Sequence, residues 1–283
     1  MSTRILLTGA TGFVGGQILG SLKKRGAHVT AVVRGDSRRL AGCCVDKVIT
    51  SEDVFTQSHS WWAAALQGID TVIHAAWFAE PRKYLWSRKN LDCLKGTITL
   101  GQVCADVGIR RFVGVGTCLE YDTSVGYLSV NTPLRPATPY AAAKAASYFA
   151  LRHSLEQAGV EFIWCRLFNL YGEGDDPQRV VPYIHQQLQR GQFAELTNGL
   201  QVRDYLNVCE ASASIVNVAY GSHTGAVNIC SGVGITIREL ALSIAEVYKR
   251  PDLLRFGARS NNIHDPQTIV GIKDMEPIKG KVP

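Results

Sequence analysis

The feature that most constrains this chain is a glycine-rich turn between an apolar run and a helical segment near the N-terminus. Residues 4–8 predict a strand, a helix follows, and the turn between them reads Thr8-Gly9-Ala10-Thr11-Gly12-Phe13-Val14-Gly15. Gly9 permits a tight turn, Gly12 lets the backbone approach a pyrophosphate, and Gly15 lets the helix pack closely on the strand. The alternative is an ordinary strand–turn–helix, but both flanks that a dinucleotide site requires are present. The predicted cofactor contacts here are Gly9, Thr11, Gly12, Phe13, Val14 and Gly15.

Short apolar runs alternate with longer helical patterns over the first two-thirds of the chain. Strands are predicted at 4–8, 28–33, 47–50, 71–75, 111–115 and 161–167, and helices at about 85–108 and 140–157. Such alternation implies βαβ units and a parallel sheet. Right-handed crossovers then give a doubly wound (Rossmann) sheet with a ligand crevice at the carboxyl ends of its strands.

The pattern loosens after Tyr171, where shorter strands and helices predict a smaller α/β unit that interleaves with the first. Thr236 and Glu239 have capping-box spacing at the start of a predicted helix. We predict an α/β fold with a dinucleotide-binding domain at 1–168, to which 197–224 returns. The substrate domain is predicted at 169–196 and 225–283.

Composition narrows the classes of function. Of the residues, 46% are hydrophobic and 19% charged, and no apolar run approaches the ~18 residues of a membrane span. The net charge of +6 suits a phosphate-bearing small molecule better than nucleic acid. The eight cysteines and seven histidines lack metal-site spacing, and no signal-peptide pattern is seen. We therefore expect a cytoplasmic protein without a metal, membrane or nucleic-acid partner.

The end of the second predicted strand bears on the choice of cofactor. An NAD site places an acidic residue there to bind the ribose, whereas this strand is followed by Arg34 and then by Ser37 and Arg38. A guanidinium matches phosphate geometry, so these residues predict NADP(H). NAD(H) remains possible because Asp36 is also close.

Tyr140 and Lys144 are four residues apart and share one face of an alanine-rich helix. A neighbouring ammonium stabilises a phenolate, so we expect a lowered Tyr140 pKa and a role in proton transfer. Thr117 ends the fifth predicted strand, where its hydroxyl either binds a substrate carbonyl or satisfies its own backbone. These three residues are the predicted catalytic group.

Together these motifs resemble the extended short-chain dehydrogenase/reductase family, in its nucleotide-sugar epimerase/dehydratase branch. Besides the turn and the catalytic group, the motifs that carry the resemblance are Asp70–Ala76, Asn90–Thr97, Arg166–Gly172 and Arg203–Val208. The resemblance implies a nucleotide-sugar-binding C-terminal domain, hydride transfer at a sugar carbon, and homodimers through the helices near 85–108 and 140–157. It also implies cofactor contacts at Ala75, Ala76, Asn90, Tyr140 and Lys144. Expected substrate contacts are Thr117, Cys118, Asn169, Arg179, Tyr84 and Arg203, the last to the diphosphate.

Departures from the family pattern separate its branches. The similar 4,6-dehydratases carry Thr-Asp-Glu, whereas Cys118 and Leu119 follow Thr117 here and Glu120 is displaced by one position. The acid/base pair of the fucose-synthase-like branch also lacks a match, with Leu119 and Arg179 at the corresponding positions. The favoured hypothesis is NADPH-dependent reduction of a nucleotide-linked 4-keto-6-deoxyhexose. The alternatives are a 4-epimerase that retains NAD and a non-catalytic NADP-sensing or RNA-associated protein.

Overall fold

The computed structural model describes residues 3–35, 40, 45–262 and 265–273. The strands are β1 (Arg4–Thr8), β2 (His28–Arg34), β3 (Lys47–Ser51), β4 (Thr71–His74), β5 (Arg111–Thr117), β6 (Tyr127–Leu128), β7 (Glu161–Leu167), β8 (Asn169–Tyr171), β9 (Ala194–Leu196), β10 (Val202–Asn207), β11 (Gly225–Ile229), β12 (Gly234–Thr236), β13 (Leu254–Phe256) and β14 (Thr268–Gly271). The helices are α1 (Phe13–Lys24), α2 (His59–Ala65), α3 (Lys89–Asp106), α4 (Pro139–Gln157), α5 (Val180–Gln189), α6 (Val208–Tyr220) and α7 (Ile237–Tyr248).

Seven parallel strands form the large sheet, in the order β11-β7-β5-β4-β1-β2-β3. The chain leaves β1 toward β2 and β3 on one side and returns to β4 on the other. The strand order therefore reverses beside β1, which is where an open α/β sheet forms its ligand crevice. The doubly wound sheet predicted from the sequence is confirmed.

Alternate side chains of the strands enter the two hydrophobic layers that cover this sheet. Ile5 and Leu7 of β1 join the layer packed against α1 and α6, whereas Leu6 joins the layer beneath α2, α3 and α4. Both faces are covered, so strands such as β5 are buried throughout. Within the described part of the chain, no helix is long and apolar enough to span a bilayer.

A smaller sheet and a strand pair form the second unit. The sheet runs β12-β10-β14-β6, with β8 also pairing with β10, and β13 pairs with β9. Helices α5 and α7 pack together with this strand pair around a separate apolar cluster. The capping box predicted at Thr236 and Glu239 is present at the start of α7.

Several predicted boundaries differ from the structure. The segment 225–283 was assigned to the substrate domain, but its first strand, β11, pairs with β7 at the edge of the large sheet. Within 197–224, α6 packs on α1 as expected of the first domain, whereas β10 belongs to the smaller sheet. The helix predicted from about 85 begins at Lys89, after a short 3-10 turn at Tyr84–Trp86.

Candidate active site

The glycine-rich turn places backbone against backbone at the carboxyl end of β1. Gly9 has a φ of +76°, and a Cβ there would lie 2.7 Å from Ala76 N. A Cβ at Gly15 would overlap the carbonyl group of Gly9. Gly12 N donates to Gly9 O at 2.9 Å and closes the turn. Any side chain at Gly9 or Gly15 would therefore force β1, β4 and α1 apart.

The N-terminus of α1 is left open to an anion. Gly12 is its N-cap and supplies no side-chain hydrogen bond, and the first turn of α1 contains no acidic residue. Gly12 is exposed, and Thr11, Phe13 and Val14 are half-buried beside it. Unpaired backbone N–H groups at a positive helix end suit a phosphate group. These residues fit the pyrophosphate of a dinucleotide.

The residues after β4 and β2 border the same turn. Ala76 N donates to Thr8 Oγ1 at 3.2 Å, and this hydroxyl also lies 2.9 Å from Nδ1 of the buried His74. Ala75 and Ala76 thus lie against the turn, where a cofactor contact was expected. Arg34 is exposed at the end of β2, and Ser37 and Arg38 lie outside the described residues.

The three residues predicted to be catalytic come together at the carboxyl end of β5. Thr138 caps α4 by accepting from Ala141 N at 3.2 Å, which places Tyr140 in the first helical turn. The Thr117 hydroxyl is placed to act on the Tyr140 phenol, whose pKa it lowers. Lys144 follows one turn later and its Nζ donates to Val115 O of β5 at 2.5 Å. Thr117 Oγ1 also accepts from Leu119 N at 3.3 Å, so the hydroxyl serves its own backbone as well.

The protonation of this pair differs from the expected one. Burial, followed by the nearby Tyr84 and Glu120, raises the pKa of Tyr140 above its usual value, and the Thr117 hydroxyl opposes this only in part. Burial also lowers the pKa of Lys144 to about 7. The expectation of a lowered Tyr140 pKa is wrong for this structure, because desolvation of the phenolate is the largest effect on this pKa. The phenol therefore retains its proton at neutral pH.

Aromatic rings enclose the catalytic pair on the β4 side. The Tyr84 ring meets Tyr140 edge-on at 4.8 Å between centroids, and Trp77 lies 6.3 Å from Tyr140. Lys144 Nζ lies 3.8 Å from the centroid of the Trp77 ring. Asn90, expected to contact the cofactor, is instead fully buried, accepting from Trp77 Nε1 at 2.9 Å and donating to Tyr84 O at 2.6 Å. Its amide is used to hold these two aromatic residues.

A buried ion pair lies behind Thr117. Glu120 is fully buried, and its carboxylate lies 2.7 Å from Arg166 Nε and accepts from Thr117 N at 2.8 Å. Trp164 Nε1 donates to the same carboxylate at 3.0 Å. The carboxylate is therefore fully engaged by protein groups. Cys118, which follows Thr117, is also buried, and burial raises the pKa of its thiol to about 12.

Two of the expected substrate contacts are arginines. Arg179 is the N-cap of α5, and its Nη1 lies 3.3 Å from Asp175 Oδ1. Its charge opposes the effect of burial on the pKa of both Tyr84 and Tyr205.

Arg203, expected to bind a diphosphate, is nearly buried. Its Nη1 donates to Val202 O at 2.8 Å, and its Nη2 lies 2.8 Å from a carboxylate oxygen of Asp265. Asn169 Nδ2 donates to the Asp204 carbonyl at 3.3 Å. Arg203 and Asn169 are therefore engaged by the protein itself in this structure.

Sequence reasoning missed Trp77, the Arg166 partner of Glu120, and Asp265. Trp77 follows Ala75 and Ala76 at the end of a buried strand, so its position could have marked it as a crevice residue. The other two contacts join residues that are far apart in the chain and leave no local signal. No group of three or more His, Cys, Asp or Glu placed to hold a metal occurs among the described residues.

Comparisons with known proteins identify relatives over most of the chain. The model of the NAD dependent epimerase/dehydratase family matches residues 5–230. A dTDP-glucose 4,6-dehydratase from Streptomyces griseus is 29% identical over 256 residues, covering 85% of this chain and 77% of the relative. A dTDP-6-deoxy-L-talose 4-dehydrogenase (NAD(+)) from Aggregatibacter actinomycetemcomitans is 25% identical over 285 residues, covering 95% of this chain and 99% of the relative.

A solved structure shares the fold. A UDP-N-acetylglucosamine 4-epimerase from Methanobrevibacter ruminantium M1, in complex with UDP-N-acetylmuramic acid, has a TM-score of 0.85. It is 20% identical and covers 96% of this chain and 90% of that chain. The likeness therefore extends over both sheets of the present structure.

Proposed function

Because the chain belongs to the NAD-dependent epimerase/dehydratase family, we propose that it reduces a nucleotide-linked 4-keto-6-deoxyhexose to the 4-hydroxy sugar, with NADPH as the preferred cofactor. Members of this family are NAD(P)-dependent oxidoreductases, epimerases and dehydratases that act on nucleotide sugars. The observation that carries the proposal is the convergence of Tyr140 and Lys144 of α4 with Thr117 at the carboxyl end of β5, where Lys144 Nζ donates to Val115 O. A ketone reduction requires a proton donor, and the Tyr140 phenol, whose pKa is raised by burial, keeps the proton that it would donate.

Each residue of the predicted catalytic group has its own role in the proposed reduction. A bound reduced nicotinamide supplies the hydride to the carbonyl carbon. Tyr140 donates a proton to the carbonyl oxygen, while Thr117 orients that oxygen by hydrogen bonding. Lys144 is held by Val115 O, and its ammonium stabilises the negative charge that develops on the Tyr140 oxygen as the proton leaves. The open N-terminus of α1 binds the pyrophosphate.

The engagement of Glu120 favours reduction over dehydration. A dehydration at C5 and C6 needs acid and base groups free to move protons near the hydride-transfer site. Glu120 is committed to Arg166 and Trp164, and Leu119 has no titratable group. The relative described as dTDP-6-deoxy-L-talose 4-dehydrogenase (NAD(+)) is named for the reverse step, the oxidation of a 6-deoxyhexose nucleotide at C4. Arg203 is proposed to meet the diphosphate once Asp265 gives way, and Arg179 and Tyr84 to line the sugar site with Asn169 and Cys118.

Arg34 supports the cofactor preference because it is exposed at the end of β2, where a 2′-phosphate would lie. The six described cysteines are free thiols, which is consistent with the reducing cytoplasm proposed from the sequence. A homodimer through α3 and α4 completes the proposal.

The test combines turnover with a single variant. Purified protein is mixed with NADPH or NADH and nucleotide-linked 4-keto-6-deoxyhexoses, and the absorbance of the reduced nicotinamide is followed. We expect faster oxidation of NADPH, and we expect Tyr140→Phe to lower kcat by about 10²–10⁴-fold, because the variant lacks the proton donor. NADPH affinity should be retained.

Tyr220→Phe, at an exposed position on α6, is the control and should turn over normally. Tightly retained oxidised cofactor with epimer formation in the absence of added NADPH would replace this proposal with the epimerase. Normal turnover by a folded Tyr140→Phe protein would remove Tyr140 from its assigned role.

A further inference from the structure

The proposed function leaves Trp77 without a role, although it lies beside both Lys144 and Tyr140. It lies between the end of β4 and the 3-10 turn at Tyr84–Trp86, and its side chain is half-buried. The face of its ring meets the Lys144 ammonium, and the ring is nearly perpendicular to that of Tyr140. Its indole N–H is fixed by Asn90. This set of contacts exceeds what simple packing requires.

We propose that Trp77 is a positioning residue that holds the Lys144 ammonium beside Tyr140 and keeps it charged through a cation–π contact. The proposal rests on the proposed function only where turnover is concerned, since the contact itself is a property of the protein without substrate.

The surroundings of Lys144 explain why such a contact is needed. Its side chain is only 2% exposed, and its one hydrogen bond to protein is donated to Val115 O. No carboxylate among the described residues forms an ion pair with it, because Glu120 is paired with Arg166. A buried ammonium without a counter-ion loses its proton readily. The negative face of an indole is the strongest aromatic site for a desolvated cation.

None of the other titratable groups that face Lys144 in the described part of the chain forms an ion pair with it. The Glu120 carboxylate after β5 and the Cys93 thiol on α3 both favour the charged lysine, but burial raises the pKa of Cys93 to about 11, so the thiol is neutral. His74 on β4 is neutral because burial lowers its pKa to about 3. The Tyr84 ring packs against Tyr140 and forms no ring contact with Lys144 in the described part of the chain. The centroid of the Trp164 ring on β7 lies 5.8 Å from Lys144 Nζ.

Asn90 gives the indole its orientation. Its Oδ1 accepts from Trp77 Nε1, while its Nδ2 donates to Tyr84 O and to Ser87 O at 2.9 Å. The amide is fully buried and belongs to the first turn of α3. One residue therefore ties the ring beneath Lys144 to the segment that carries Tyr84, which stacks edge-on against Tyr140.

The test compares two substitutions that both remove the indole N–H. Trp77→Phe keeps an aromatic face beneath Lys144, whereas Trp77→Met fills the space without one. The Lys144 pKa is measured by ¹³C NMR of protein labelled at the lysine ε-carbons, with Lys144→Arg to identify its signal. We expect Trp77→Met to lower the pKa of Lys144 by about 1, and Trp77→Phe to give a value between those of Trp77→Met and the wild type.

A half-buried tryptophan distant from the site, Trp61→Met, is the matched control and should leave the Lys144 titration unchanged. Equal Lys144 pKa values in the wild type and folded Trp77→Met would overturn the proposal. So would equal, lowered values in both variants, because the hydrogen bond would then matter and not the ring face. If Trp77→Met does not fold, a Trp77→Phe pKa at or above the wild-type value overturns it.

The titration needs no substrate, so its outcome is separate from that of the proposed reduction. Where turnover is measurable, the alkaline side of the kcat–pH profile should move down in Trp77→Met by as much as the lysine pKa. The reason is that the ammonium is lost as pH rises through its pKa, and a lower pKa brings that loss to lower pH. A fall in kcat without movement of the profile would indicate a packing role and count against the proposal.

Discussion

At the scale of single residues, buried side chains behind the predicted catalytic group hold that group in position. The clearest case is Glu120, whose carboxylate fixes the backbone of Thr117 and pairs with Arg166 in the interior. From the sequence, Glu120 could be recognised as displaced by one position from an acid of the dehydratases. Its partner could not be recognised, because Arg166 lies on β7 and the two meet only when β5 and β7 pair.

Glu120→Gln is expected to lower the free energy of unfolding by about 3–5 kcal/mol, as is typical when one partner of a buried ion pair is removed. The amide is nearly isosteric but leaves the buried Arg166 guanidinium without a counter-charge. Urea unfolding followed by circular dichroism measures the change. Since the Thr117 N–H loses a charged acceptor, the same variant should also have a lower kcat.

Glu246→Gln, on the exposed face of α7, is the control and should change stability by less than about 0.5 kcal/mol. Adding Arg166→Met to Glu120→Gln should restore part of the loss, because the unpaired charge is then gone. A Glu120→Gln protein as stable as the wild type would mean that the ion pair is not the source of stability here.

At the scale of elements, the start of α1 shows how much local sequence can determine. The turn is predicted from its glycines and the flanking strand and helix from the apolar pattern, and the strand and helix lie where expected. The short strands β6, β8, β12, β13 and β14 were not predicted. Strands of two to four residues have too little periodicity for a pattern, and they exist because of pairings made elsewhere in the chain.

Two glycines in α1 should respond to the same substitution in opposite ways. Gly15→Ala places a Cβ against the Gly9 carbonyl, so we expect a large loss of stability and of NADPH binding. Gly20→Ala meets no atom within 4 Å and should stabilise the protein by roughly 0.5–1 kcal/mol, since alanine favours the helix.

Thermal unfolding and isothermal titration with NADPH check both glycine variants. Retained cofactor affinity in Gly15→Ala would show that the turn tolerates a wider separation of α1 and β1. A destabilised Gly20→Ala protein would contradict the expectation that the added Cβ meets open space.

At the scale of the whole molecule, the sequence predicted the sheet but not which part of the chain completes it. Parallel strands are marked by apolar runs with helices between them, and this pattern needs no long-range information. The assignment of 225–229 to the second unit was wrong, since β11 pairs with β7 at the edge of the large sheet. The sequence alone does not reveal this, because a strand that follows a helix could belong to either sheet. The meeting of Thr117 with Tyr140 and Lys144 could be predicted because strand ends converge in this topology. Their burial, which sets the protonation of Tyr140, could not.

The proposed homodimer is tested at this scale. Helices α3 and α4 pack against each other and expose large apolar side chains, including Leu91 at 59% and Phe149 at 55%. Phe149→Glu should convert a dimer into a monomer, because a charge on an apolar interface must be desolvated on association. Analytical ultracentrifugation over a range of concentrations measures the mass.

Val247→Glu, at a 76% exposed position on α7, is the matched control and should leave the mass unchanged. A wild-type protein that sediments as a monomer at all concentrations, or a Phe149→Glu protein that remains a dimer, would contradict the proposed interface.

The interleaving of the two units also fixes an order of assembly during synthesis. The large sheet has all its strands once β11 has left the ribosome, but β6 must wait for β14, more than a hundred residues further along the chain, before it gains its parallel neighbour. Asp265, the partner of Arg203, arrives just before β14. A nascent chain therefore acquires the glycine-rich turn early and the smaller sheet last.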